Sequence, residues 1–266
     1  MVREPAVSGQ FYPGSKQLLL EELENLIPQN QEKVDAIGAV VPHAGYMYSG
    51  AIAGEVYARL THRKTYVVIS PNHTGYGSRF ACSSEPWKTP LGNVEVDKDL
   101  LAAIMKNTSL LTEDPSAHLY EHSVEVQLPF IQQVSPDAKI LPITVQRGAP
   151  EHLREVADAI ALAVKESAGD VTVIASSDMT HYESRSSAEQ KDKLAIQKVL
   201  DLDPEGLMEV VEARNISMCG YIPVALMLLY AQKMGATKSE LIRYTDSGEV
   251  TGDTDQVVGY AGIIVS

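Results

Sequence analysis

Four short, unbroken apolar runs punctuate the first two thirds of the chain, at Ala36–Val41, Tyr66–Ser70, Lys139–Thr144 and Val171–Ser176, each bounded by Pro, Gly, Asp or Ser. Runs of this length without polar alternation predict strands covered on both faces. Between them the apolar positions take helical spacing over Ser15–Ile27, Ser49–Leu60, Lys98–Lys106, Glu121–Val134 and Pro150–Ser167. Strand and helix alternate, which predicts an α/β domain of three layers, with a mostly parallel central sheet and helices on both faces. Past Asp178 the pattern is helical over Ala188–Leu202, Pro204–Arg214 and Cys219–Met234, and two further strands are expected at Leu241–Thr245 and Val257–Ile264, returning to the sheet. The segment Gly75–Val96, which carries the only tryptophan, Trp87, reads as irregular or hairpin-like and as an insertion near the site. No repeat, low-complexity tract or Gly/Ser/Pro linker breaks the pattern, so residues 1–266 are read as one domain.

Composition narrows the function classes. With 22 Lys+Arg against 35 Asp+Glu the formal charge is −13, which excludes nucleic-acid binding through a general basic surface. An apolar fraction of 44% with 21% charged residues suffices for an ordinary core. The longest apolar stretch, Ile222–Ala231, contains Pro223 and falls short of the roughly 18 residues of a membrane span. Two cysteines, Cys82 and Cys219, cannot build a disulfide framework, and no secretory signal pattern opens the chain, so the expected compartment is the reducing cytoplasm.

The chemistry lies just past the ends of the strands. Ala39-Val40-Val41 runs into Pro42-His43-Ala44-Gly45, Val67–Ser70 into Pro71-Asn72-His73, and Val171–Ser176 into Ser177-Asp178-Met179-Thr180-His181. Ligands of open α/β sheets bind outside the carboxyl ends of the strands, so three histidines at such ends mark a site. Cys219 precedes a helix whose Pro223 is tolerable only in a first turn, and a helix N-terminus lowers a thiol pKa, favouring a thiolate that ligates metal or attacks as a nucleophile. Cys82 has no such context and is read as packing. Two histidines and a thiolate suit a borderline or soft transition metal: zinc, copper or iron. His122 is expected at a helix start near Glu121, aimed at the site, and His118 on the surface. Asp178 is read either as a helix cap or as the partner that holds His181 in one tautomer for acid–base work. Walker A, G-x-G-x-x-G and G-x-S-x-G patterns are all missing, so nucleotide binding and an α/β-hydrolase nucleophile lack their signatures.

Taken in order, Ser8–Pro13, Pro42–Tyr46, Pro71-Asn72-His73, Thr89–Gly92, Glu121-His122-Ser123, Ser176-Ser177-Asp178 with His181, Met218-Cys219-Gly220 and Val257–Ala261 make the chain resemble the Memo (mediator of cell motility) family over nearly its whole length. Memo proteins are similar in fold to class III extradiol dioxygenases, which are non-haem iron enzymes. By that resemblance His43 and His73 fall on the two iron-binding histidines, Cys219 on the third ligand and His181 on the acid–base histidine, with His122 beside the site. The dioxygenases supply a carboxylate where this chain supplies a thiol, which argues against ring cleavage. The resemblance implies an iron- or copper-binding protein with redox or oxygen-related activity. It also implies a shared modification pathway, since microbial relatives are associated with a radical-SAM protein. Two other readings stay open: a binding module for a peptide or small anion, and a zinc hydrolase.

Overall fold

The computed structural model describes residues 1–167 and 170–266. Along the chain the elements are α1 (Lys16–Leu26), β1 (Gly38–Val41), α2 (Tyr46–Arg59), β2 (Thr65–Pro71), β3 (Phe80–Cys82), β4 (Trp87–Thr89), β5 (Gly92–Val94), α3 (Lys98–Asn107), β6 (Thr112–Glu113), α4 (Leu128–Val134), β7 (Lys139–Val145) and α5 (Pro150–Glu166). They continue with β8 (Val171–Ser176), β9 (His181–Glu183), α6 (Arg185–Leu200), α7 (Pro204–Ala213), α8 (Tyr221–Lys233), β10 (Ser239–Asp246), the single turn α9 (Gly248–Thr251) and β11 (Val257–Val265). Local chemistry explains many of the starts. Ser15, Asp97, Ser184 and Asp203 accept backbone N–H groups at the starts of α1, α3, α6 and α7, and Pro150 and Pro204 open α5 and α7 where a missing N–H costs nothing.

One mixed sheet runs in the order β10-β11-β1-β8-β2-β7-β3-β6, with β9 paired to β11. Its middle, β1-β8-β2-β7, is parallel, and these are the four apolar runs of the sequence. Every residue of β1, β2 and β8 is buried, as expected of strands covered on both faces. One apolar layer packs α1, α2 and α4 on one side, with Leu19, Leu23, Val56, Tyr57 and Phe130 at its centre. On the other side α3, α5, α7 and α8 supply Ile104, Ile160, Leu207 and Leu228. Helix α8 is buried around most of its circumference against α5, α7 and the sheet, which explains why its sequence shows no polar face.

Three expectations need correction. The helix predicted over Glu121–Val134 begins only at Leu128, after a single 3-10 turn at Glu125–Gln127. Its polar side chains point inward to hold other segments, and Pro129 suits a first turn. His118 is not a surface residue but 1% exposed, packed edge-on to Trp87 at 5.7 Å between ring centres. Nor does Asp178 cap a helix: the short strand β9 comes after it, and α6 takes its cap from Ser184. The Gly75–Val96 segment contains the hairpin β4–β5, as expected, but Trp87 is packed beneath His118 rather than into the site cavity.

Candidate metal centre

Because β1, β8 and β2 are neighbours in parallel, the residues just past their ends are forced together. Val41 is paired with Ser176, so Pro42-His43 and Ser177-Asp178 leave the sheet side by side, and His73 leaves two residues after β2. His122 enters from the loop before α4. One ring nitrogen from each of His43, His73 and His122 lies within 4.8 Å of the others, an arrangement that could hold a metal ion. The Cys219 sulfur, expected as the third ligand, touches His43 Nε2 at 3.3 Å but lies outside this mutually close group, in which His122 stands instead.

The hydrogen bonds decide which nitrogens are free. Ser176 gives its hydroxyl proton to the Ser123 carbonyl at 2.8 Å, so toward His43 Nδ1, 2.9 Å away, its oxygen accepts. His43 therefore carries its proton on Nδ1 and turns the Nε2 lone pair to the centre. His73 Nδ1 donates to the Glu121 carboxylate at 3.0 Å with the same result, and His181 Nδ1 donates to the Ser217 carbonyl at 3.0 Å. A partner on Nδ1 that fixes the tautomer is the usual support of a metal-ligating histidine, and a set of imidazole nitrogens and one thiol fits zinc, copper or iron. The residues present thus fit a transition metal.

Glu121 is the organiser that reading the sequence did not single out. Fully buried, it also accepts from the His73 N–H at 2.5 Å and from the Ser123 N–H and hydroxyl at 3.0 and 2.6 Å, and it lies 3.6 Å from His122 Nδ1. Burial alone would raise its pKa, but the bonds from His73 and Ser123 hold it well below the usual carboxylate range. Burial likewise pulls His73 down, yet Glu121 outweighs it and the imidazole ends above its ordinary value. His43 and His122 are shifted down, first by burial and then by their neighbours in the cluster. The only signal for Glu121 in the sequence is its adjacency to His122. Gln127, which donates to Ser176 and to the Pro42 carbonyl at 2.9 Å each, gave none.

Asp178 does not orient His181. Its carboxylate accepts the His43 N–H at 2.8 Å, and burial raises its pKa to about 6, while Ser217 takes the role expected of it. Cys219 does precede α8, with Gly220 as the N-cap, and its sulfur accepts the Asp178 N–H at 3.3 Å. Contrary to the expectation for a helix N-terminus, burial and the nearby Asp178 charge push the thiol pKa up. Cys82 is packed in the core, as expected. Gly220 is required here: a Cβ would stand 2.4 Å from the Ser176 carbonyl oxygen. Gly220→Ala is expected to displace the Cys219 loop from the end of β8 and to cost about 1–3 kcal/mol in urea unfolding. An unchanged midpoint would show that the loop relaxes freely.

The centre opens into a cavity of about 460 Å³ walled by Phe11, Met47, Tyr48, Tyr182 and Tyr260 around His43, His73, His122, His181 and Asp178. Among the described residues no Lys or Arg lines it. No helix among them is long and apolar enough to cross a membrane.

A solved structure from Escherichia coli K12, the uncharacterized protein JW3007, is similar in fold, with a TM-score of 0.54 at 12% identity over 85% of this chain and 98% of that one. MEMO1 family proteins of Methanosarcina mazei and Methanopyrus kandleri are 46% and 39% identical to this chain, each alignment covering 99% of both partners. The family model described as Memo-like protein matches residues 3–264, and the chain belongs to that family.

Proposed function

We propose that the protein holds iron or copper at His43, His73 and Cys219, with His122 beside them, and carries out redox or oxygen-related chemistry on a small organic molecule. The convergence of one ring nitrogen from each of three imidazoles within 4.8 Å, with the Cys219 thiol against His43 Nε2, carries this reading. A metal bound there would supply Lewis acidity and electron exchange. The residues supply the rest. His181, whose Nδ1 donates to the Ser217 carbonyl, presents its Nε2 as the proton-transfer atom for a molecule in the cavity, and Asp178 positions the backbone of His43. A cavity of this volume, rich in aromatic side chains, suits a ligand of one or two rings. The two free cysteines support a place in the reducing cytoplasm.

Among the described residues, the cavity wall offers the small-anion reading no fixed cation to receive a phosphate. A zinc hydrolase is favoured by one observation, the three-imidazole set that catalytic zinc also uses. Metal analysis of protein purified without added metal, with absorption and electron paramagnetic resonance spectra before and after exposure to oxygen, separates the two. Iron or copper with an oxygen-sensitive spectrum supports the redox reading, and stoichiometric zinc with neither overturns it. His181→Ala is expected to keep wild-type metal content while lowering turnover by about 10²–10⁴-fold; loss of the metal would make His181 a ligand instead.

A further inference from the structure

The N-terminal segment is tied beneath the metal centre by a buried ion pair that the proposed chemistry does not use. Arg3 is 4% exposed, and its guanidinium pairs with the fully buried Glu125 carboxylate. The other two guanidinium nitrogens reach backbone: Nε donates to the His118 carbonyl at 3.1 Å and Nη2 to the Glu121 carbonyl at 2.7 Å. Its Cζ lies 4.3 Å from the centre of the Trp87 ring, and the Arg3 backbone is paired with the hairpin through Pro86 and Lys88 at 2.8 and 3.0 Å. Glu125 in turn accepts the Ala6 and Val7 N–H groups and the Tyr12 hydroxyl at 2.7, 3.0 and 2.7 Å. This brings Phe11 to 5.0 Å from the His122 ring, and the Phe11 carbonyl accepts the first N–H of α2 at 2.7 Å.

Arg3 thus grips both ends of the His118–Glu121 segment whose last residue holds His73 through its carboxylate and leads directly into His122. We propose that Arg3 is a positioning residue of the histidine cluster, setting Glu121, and through it His73 and His122, in the geometry that binds metal. The inference rests on the metal-centre reading above. A residue that merely stabilised the fold would contribute through its charge pairing with Glu125. A positioning residue needs the planar fork, because the backbone carbonyls of His118 and Glu121 are reached by separate nitrogens of one rigid group.

The test uses the full chain, with Co²⁺ as probe. Arg3→Met removes the charge and the fork, Arg3→Lys keeps the charge and loses the fork, and Ile160→Ala damages the apolar layer on the opposite face of the sheet. Supporting positioning residues typically change metal affinity by about 10–100-fold, so both Arg3 variants are expected to bind Co²⁺ at least about 10-fold more weakly than wild type. Their circular dichroism should stay native, and Ile160→Ala should keep wild-type affinity despite a lower Tm. Arg3→Lys binding within two-fold of wild type, or Ile160→Ala losing as much affinity as the Arg3 variants, would overturn the proposal. A readout independent of metal is the His73 Nδ1 proton resonance, expected to shift in both Arg3 variants. If wild type binds no Co²⁺, the metal reading fails while this resonance still decides on Arg3, an unshifted signal counting against it.

Discussion

His43→Ala is expected to bind Co²⁺ or Zn²⁺ at least about 100-fold more weakly than wild type. Changes in residues that only orient a ligand already cost about 10–100-fold, and this substitution deletes a donor atom. His43 is the histidine of the cluster that also touches Cys219, with ring centres 5.3 Å from His73 and 5.5 Å from His122 and the Cys219 sulfur against its Nε2. It is 1% exposed and its Nδ1 is held by Ser176. Cys219→Ser should weaken binding as well, because a hydroxyl is a poor substitute for a thiolate toward soft and borderline metals, whereas Cys82→Ser should leave it unchanged. Metal titrations on the three variants check this. Equal affinity in Cys219→Ser and Cys82→Ser would remove Cys219 from the ligand set and leave His43, His73 and His122 to hold the ion alone.

The stability of the fold is expected to fall by about 3 kcal/mol between pH 6.5 and pH 4 through His118 alone. Burial, reinforced by the neighbouring Arg3 charge, pushes this imidazole down to about 4 from an ordinary 6.5. Between those values the unfolded chain binds a proton that the folded chain refuses. The contribution is therefore fully present above pH 6.5 and is lost as the pH falls toward the folded value. Carboxylates such as Glu121, held low in the folded state, add their own loss at more acidic pH. In urea unfolding followed from pH 7 to pH 4, His118→Phe should flatten the slope in this window. The diagnostic is that slope, because the larger ring changes packing against Trp87 equally at every pH. An identical slope in the variant would show that His118 is protonated without cost.

Strand order explains how much of this was readable in advance. The four apolar runs and the alternation around them determined the elements and the layered α/β architecture, because burial on both faces leaves a strand no polar alternation. The same runs placed His43, His73 and Asp178 at strand ends, where a parallel sheet gathers its ligand groups. What no run of residues states is that β8 inserts between β1 and β2, or that the loop before α4 swings over the sheet edge. Those arrangements moved His122 into the cluster, buried His118, gave His181 to Ser217 instead of Asp178, and made Glu121 the shared acceptor. The pairing of Arg3 with Glu125 likewise joins residues 122 positions apart. Sequence by itself determined periodicity, composition and the residue types at strand ends, which are local properties. Hydrogen-bond partners, burial of charged groups and their pKa shifts depend on distances between segments remote in the chain, and only the tertiary structure decided them.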